Sequence, residues 1–303
     1  MTPSAAPKQV LEGALTWIDG HLPHFDPFKD GELTGLCEIP LSELAILTLS
    51  AQRCSRPVDT AVTTRFLDLL ESTHHKPLYQ ERPFREPETL VSHLVVAVAL
   101  ERGGRLDGCA FLASIEQLIE ASTLTAPALP PHRMMELRHA LDLGQVGHGL
   151  PSYLTLYRST MPARPVNPIY VSRAEAYILT HVIFYAADLG FRSPEGICAG
   201  ERKRLAKLVE RLLGMYIVAR NWDLTAELIL SALCLRNPCA FNDVGWQCLV
   251  SAQRADGAVP GTRGRPKEAA MPTTPEDIDA DVGSCYHTTL VSALAALSAL
   301  HIG

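Results

Sequence analysis

The chain has 303 residues, of which 47% are hydrophobic and 20% charged, and its net charge at pH 7 is −6. This composition is typical of a globular protein and not of a disordered chain, and the acidic balance argues against a nucleic-acid partner. The longest uncharged apolar run, 288–303, is short for a bilayer span. Residues 1–10 lack the basic-then-apolar pattern of a signal peptide, so we expect a cytoplasmic protein.

Apolar residues recur with a helical period along nearly the whole chain, and no segment alternates with the period of a strand. Glycine and proline interrupt the pattern between segments. The sequence therefore predicts an all-α fold with helices at 8–22, 41–54, 58–72, 88–103, 108–122, 132–143, 173–189, 200–220, 222–236, 242–254 and 285–300. Two long stretches, 144–170 and 258–283, lack the period and are expected to be irregular loops.

Several of the predicted helices begin with a polar or titratable residue and continue as an apolar run. Such starts occur at Glu43, His93, His181, Glu227 and His287. With one further member in the middle of the chain, they recur about every 40 to 60 residues, the length of one antiparallel helix pair. Repeats of that length indicate a solenoid or a closed ring. We predict one domain over 1–303, an (α/α)6 toroid of about six helix pairs.

Two segments near the C-terminus carry a resemblance to a known superfamily. Residues 244–261 read VGWQCLVSAQRADGAVPG, a helix that ends in Gln and is followed by Asp-Gly and a Gly-terminated turn. Residues 285–289 read CYHTT and lead into an Ala/Leu helix. Both resemble the superfamily of α/α toroids that contains the terpenoid cyclases and the protein prenyltransferase β subunits. In those prenyltransferases this histidine is a zinc ligand, so the resemblance implies a toroid fold and a metal-binding role for His287.

A second resemblance rests on 179–190, which reads LTHVIFYAADLG, and on 222–228, which reads WDLTAEL. Together these segments resemble an uncharacterised actinobacterial toroid family that is often associated with natural-product pathways. That resemblance implies a role in bacterial specialised metabolism and carries no assigned activity.

The sequence departs from the prenyltransferase pattern at 243–245. There the family has an Asp-x-Cys pair that supplies two zinc ligands, and this chain reads Asp-Val-Gly. Cys285 could replace the missing sulfur, which gives Asp243, Cys285 and His287 as a possible three-ligand zinc site. The Asp-x-Asp-Asp and Asp-Asp-x-x-Asp signatures of terpene cyclases are absent from the sequence, so an ordinary terpene cyclase is disfavoured.

Polar side chains on two predicted helices indicate acid–base catalysis. Tyr177 and His181 are one turn apart, and histidine is the side chain whose charge changes near neutral pH. Asp223 and Glu227 share a helix face in the same way. Glu227 begins an apolar run in which a carboxylate needs a partner. We expect Glu227 to pair with His181 or His287 and to have a raised pKa.

Three functions remain open from the sequence. The favoured one is a cyclase, lyase or isomerase of bacterial specialised metabolism. It would be a non-redox enzyme without a cofactor that converts a small, largely apolar intermediate, free or linked to a carrier or peptide, in the central cavity of the toroid. Its acid–base residues would be His181, Asp223, Glu227 and His287, with Tyr177 and Tyr286 as hydrogen-bond donors. The second is a zinc-dependent transferase or cyclase similar to the prenyltransferases. The third is a non-catalytic helical-repeat scaffold that binds a peptide or partner enzyme. A protein partner or a homodimer is compatible with each.

Overall fold

The structure is a computed structural model that describes residues 5–29, 31–33, 38–56, 58–106, 110–121, 129–237, 239–262 and 274–302. The predicted all-α class is confirmed for these residues. Their thirteen α-helices are α1 (Ala5–Gly20), α2 (Glu38–Arg53), α3 (Thr60–His74), α4 (Pro77–Arg85), α5 (Leu90–Arg102), α6 (Ala110–Ala121), α7 (Pro131–Leu143), α8 (Tyr153–Arg158), α9 (Arg173–Ala187), α10 (Ala199–Val218), α11 (Trp222–Leu235), α12 (Asn242–Ala252) and α13 (Pro275–Ile302). A two-stranded antiparallel hairpin, β1 (Phe28–Lys29) and β2 (Glu32–Leu33), is the sheet in this part of the chain.

Two helices lie where the sequence predicted none, and one helix is longer than expected. α4 begins at a proline and contains a second one near its end, and α8 has six residues inside the stretch 144–170 that was expected to be irregular. α13 begins ten residues before the predicted start at 285, within the second predicted loop. Both loop predictions are therefore wrong in part, and residues 263–273 of the second loop lie outside the described residues.

The start of α13 carries the usual chemistry of a helix N-terminus. The hydroxyl of Thr274 accepts a hydrogen bond of 3.2 Å from the backbone N–H of Asp277, as a capping residue does. Pro275 occupies the first helical position, where no backbone N–H is needed. The acidic side chains of Glu276 and Asp277 lie in the first turn, next to the positive end of the helix dipole. These four residues are a sequence signal that the periodicity analysis missed.

Contacts divide the chain into two compact units. The first unit comprises Met1–Gly20, Cys54–Arg56 and Ser152–Gly303, and the second comprises His21–Arg53 and Pro57–Pro151. The single domain over 1–303 and the closed (α/α)6 ring stay predictions.

The first unit is built around α11. Its sequence is mostly apolar, and twelve of its fourteen residues are buried, as expected of a helix surrounded by other helices. It packs against α9, α10, α12 and α13, and α13 also packs against α1. This arrangement brings the buried polar side chains of α11 next to α9 and α13.

The second unit has its own apolar core. α5 is buried on nearly every face and packs against α2, α3 and α7. The residues of α5 from Leu94 to Leu100 are almost fully buried, which is typical of a central helix.

α13 is the helix in the described chain that is long and apolar enough to cross a membrane. Of its most apolar window, 61% is buried inside the protein, and the core helix of a soluble protein passes the same test. One such helix among the described residues is weak evidence for a membrane span.

Candidate active site

Three neighbouring helices of the first unit carry the candidate site. Side-chain caps define where two of them begin. The hydroxyl of Ser172 accepts a hydrogen bond from the backbone N–H of Glu175, and the Glu175 side chain accepts one from the Ser172 backbone, which forms a capping box on α9. The side chain of Asn221 caps α11 by accepting a hydrogen bond from Leu224. These caps fix the register in which each helix presents its polar residues.

Asp223 and Glu227 lie one turn apart on α11 and are both buried. Oδ2 of Asp223 accepts a hydrogen bond from the Tyr177 hydroxyl of α9, and Oε2 of Glu227 accepts one from the Thr180 hydroxyl of the same helix. Each carboxylate therefore has one oxygen held by α9. The other oxygen of each carboxylate, Oδ1 of Asp223 and Oε1 of Glu227, faces a histidine.

The two histidines approach these carboxylates from different helices. Nε2 of His287 on α13 lies 3.4 Å from Oδ1 of Asp223 and 3.5 Å from Oε1 of Glu227. Nε2 of His181 on α9 lies 3.8 Å from the same Oε1 of Glu227. Glu227 is thus shared between two imidazole rings, and His287 is shared between two carboxylates.

Burial differs sharply between the two kinds of group. The Glu227 side chain is 1% exposed, whereas those of His181 and His287 are 38% and 36% exposed. The imidazole rings are therefore accessible to a small molecule, and the carboxylates lie behind them. This is the arrangement expected when carboxylates orient histidines that do the chemistry.

The pKa values of the two carboxyl groups shift in opposite directions. Burial raises the pKa of Asp223, and the nearby charge of His287 only partly opposes that effect. Burial also acts to raise the pKa of Glu227, but the hydrogen bonds and charges of His181 and His287 outweigh burial and lower this pKa to about 2. The predicted pairing of Glu227 is found, and its predicted raised pKa is wrong. The raised pKa belongs to Asp223 because burial raises it, the single imidazole of His287 only partly offsets burial, and the charge of Glu227 raises it further.

The phenol of Tyr177 connects the cluster to a further residue. Burial raises the pKa of Tyr177, and the adjacent Asp223 carboxylate raises it further. The phenol thus stays protonated near neutral pH and donates to Asp223. It also accepts a hydrogen bond of 3.2 Å from Nη2 of Arg173.

Five of the six predicted catalytic residues are brought together: Tyr177, His181, Asp223, Glu227 and His287. The remaining residue, Tyr286, lies on a different face of α13 from His287, because the side chains of adjacent helix residues point about 100° apart. Its ring contacts that of His287 edge-on, with centroids 6.3 Å apart. Thr180 and Arg173 were missed. Arg173 lies one turn before Tyr177 on the same face of α9, so the four-residue spacing that links Tyr177 and His181 in the sequence could have identified it. Thr180 does not follow this spacing.

The predicted zinc ligands Asp243, Cys285 and His287 do not come together. Cys285 is two residues before His287 on the continuous helix α13, so their side chains point to nearly opposite sides of the helix, about 160° apart. Cys285 is buried next to Arg254, with Sγ 3.8 Å from Nη1. Asp243 lies exposed in the first turn of α12. The predicted ligand set is therefore wrong.

A different set of residues could hold a metal ion. Within the described chain, ligand atoms of Asp223, Glu227 and His287 all lie within 4.8 Å of one another. Two carboxylates and one imidazole are a donor set that suits a divalent ion such as zinc. The structure thus contains a possible metal-binding triad at the same place as the acid–base cluster.

The fold and this site define a class: an all-α protein with a buried carboxylate pair beneath two accessible histidines. The chain belongs to the family described as a domain of unknown function, DUF6895, whose model matches residues 11–297. No curated protein and no solved structure matches the chain.

Proposed function

We propose that the protein is a non-redox enzyme that uses the two histidines as acid and base. The reaction would be a cyclisation, isomerisation or elimination of a small, largely apolar intermediate of bacterial specialised metabolism. The proposal rests on one observation: Oε1 of the buried Glu227 lies within 4 Å of Nε2 of both His181 and His287. A deeply buried carboxylate on an apolar helix is costly, so its position between two accessible imidazoles favours a functional role.

We assign a role to each group from its contacts. His287 faces two carboxylates, so its imidazolium form would be paired twice, and we assign it as the acid. His181 faces Glu227 alone, and we assign it as the base. Glu227 and Asp223 are positioning residues that orient the rings and balance the charge of an imidazolium, as the aspartate of a catalytic triad does. Tyr177 and Thr180 hold the carboxylates in place.

The test uses a panel of compounds that acid–base catalysis converts, namely enolisable ketones, epoxides and β-hydroxy carbonyl compounds. Conversion, and exchange of acidic C–H protons in deuterated water, are followed by NMR and mass spectrometry. We expect Glu227→Gln to slow a wild-type reaction by about 100-fold or more. The control is Glu12→Gln on α1, whose side chain is 67% exposed. A folded Glu227→Gln protein with the wild-type rate would contradict the proposal.

A second candidate is a zinc-dependent transferase or cyclase, and the triad of Asp223, Glu227 and His287 favours it. A bound zinc ion would supply a Lewis acid or activate a thiol or water. In that case His181, next to Glu227, would remain as the acid–base group. The metal content of the protein separates the two candidates.

A further inference from the structure

Arg173 is the first residue of α9 and the first of three polar side chains on one face of that helix. It lies one turn before Tyr177 and two turns before His181, so the three side chains follow one face of the helix. Its Nη2 donates to the Tyr177 hydroxyl at 3.2 Å and lies 3.5 Å from the hydroxyl of Thr262. The guanidinium also sits over the Tyr177 ring, 5.7 Å from its centroid. Arg173 is thus connected to the candidate active site through the phenol that binds Asp223.

The positive charge of Arg173 has no carboxylate within ion-pair distance among the described residues. Its hydrogen-bond partners there are two neutral hydroxyl groups. Two other arginines of the same unit have carboxylate partners: Arg204 contacts Glu201 at 2.7 Å, and Arg254 contacts Asp281 at 2.8 Å. Arg173 is exposed, and its Nε and Nη1 donors make no hydrogen bond to a described residue. A guanidinium presents its donors in a fixed fork.

Two acidic groups near Arg173 in the fold, Glu175 on α9 and Asp223 on α11, are already engaged by other residues. The carboxylate of Glu175 accepts hydrogen bonds from the backbone N–H and the hydroxyl of Ser172, at 2.8 Å and 2.7 Å. Asp223 is bound by Tyr177 and faces His287. The charge of Asp223 acts on the guanidinium from a distance, but neither carboxylate forms an ion pair with it. An anion from outside the chain would complete this arrangement.

We propose that Arg173 is a specificity-determining residue that binds an anionic group, a carboxylate or a phosphate, at one end of the substrate. The proposal rests on the proposed function, because it places the substrate across the same site. Guanidinium groups bind both kinds of anion through paired, charge-assisted hydrogen bonds. The hydroxyl of Thr262 lies beside the guanidinium as a further donor.

The helix sets the size of the substrate. His181 is the eighth residue after Arg173, which corresponds to a distance of about 12 Å along the axis of α9. The anionic group and the reacting atom would therefore be separated by a distance on the order of 10 Å. A substrate with an apolar body and one acidic end fits this spacing.

The experiment measures binding of three probes of equal chain length: hexanoate, hexyl phosphate and hexanol. Dissociation constants are determined by NMR titration with wild type, Arg173→Gln, Arg173→Lys and Arg158→Gln. Arg158 is an exposed arginine of α8 and serves as the matched control. We expect at least one anion to bind wild type and the Arg158→Gln variant equally, and to bind the Arg173→Gln variant about tenfold or more weakly.

The remaining measurements distinguish the sources of the anion and the possible failures. Tighter binding of hexanoate would indicate an organic acid, and tighter binding of hexyl phosphate would indicate a phosphate ester. Arg173→Lys should give an intermediate affinity, because lysine keeps the charge and loses the fork. Anion affinity that is unchanged in Arg173→Gln, or no better than that of hexanol in wild type, would overturn the proposal. Because Arg173 binds and does not transfer protons, anion binding that depends on Arg173 alongside full activity of Glu227→Gln would overturn only the proposed function.

Discussion

Nε2 of His287 on α13 lies 3.5 Å from Oε1 of Glu227 on α11. The contact joins a half-exposed imidazole to a carboxylate that solvent does not reach. It links two helices that are separated in the chain by α12 and a long connection. The pairing gives the first unit a polar cluster inside an otherwise apolar helix packing, and the following predictions test its parts and the fold around it.

The hydrogen bond from Tyr177 to Asp223 should contribute to stability. Tyr177→Phe leaves Oδ2 of Asp223 buried without its donor, so we expect the free energy of unfolding to fall by about 1–3 kcal/mol. In a double-mutant cycle with Asp223→Ala, which removes the acceptor, the two changes should not add, with a coupling of about 0.5–3 kcal/mol. Urea unfolding measures each value. Tyr170→Phe, at a tyrosine that is 80% exposed, is the control, and strictly additive effects would contradict the contact.

Elemental analysis separates the two ligand sets for zinc. If the second candidate function holds, protein purified without chelator should contain about one zinc per chain. His287→Ala should lose it, and Cys285→Ser should keep it, because Cys285 lies on another face of α13. Loss of zinc in both variants would contradict the ligand set Asp223, Glu227 and His287. A metal-free wild type would leave the acid–base mechanism as the remaining enzyme candidate.

His74 should make the second unit less stable in mild acid. Burial, together with the charge of His75, lowers the pKa of His74 to about 4 from its ordinary value of 6.5. Between these two values the unfolded chain binds more protons than the folded one, so the contribution is complete above pH 6.5 and is lost as pH falls towards 4. We expect a loss of roughly 2–3 kcal/mol from this group.

The measurement is the free energy of unfolding in urea at pH 7 and at pH 4.5. His74→Phe should reduce the difference between the two, because phenylalanine packs against Phe111 and does not titrate. His75→Gln changes the neighbouring exposed histidine and should leave most of the difference in place. An unchanged pH dependence in His74→Phe would show that other groups cause it.

Two glycines of the first unit should respond in opposite ways to alanine. Gly257 has φ of +98°, and a Cβ there would lie 2.0 Å from the backbone oxygen of Gly13 on α1. Gly257→Ala should therefore cost more than about 2 kcal/mol. At Gly283, inside α13, a Cβ meets nothing within 4 Å, so Gly283→Ala should stabilise the protein by about 0.5–1 kcal/mol. Thermal unfolding compares both with wild type, and a tolerated Gly257→Ala would contradict the close approach.

The sequence by itself determined the all-α class and most of the helices, because apolar periodicity, caps and breakers are local properties. The start of α11 next to Asn221 and the capping box at Ser172 are encoded within a few residues. The short helix α8 was missed because six residues give too little periodicity to detect. The first ten residues of α13 were missed because their signal is the cap at Thr274 and not an apolar pattern.

The sequence also determined which residue types could do chemistry, since a glutamate in an apolar helix needs a partner wherever it lies. Only the tertiary structure decided which residues meet. It placed His287 on the face of α13 that packs against α11 and turned Cys285 away, and it gave the raised pKa to Asp223 instead of Glu227. These outcomes depend on the rotation of each helix about its axis and on the sum of charges at one point. Both are set by packing between segments that are distant in the chain.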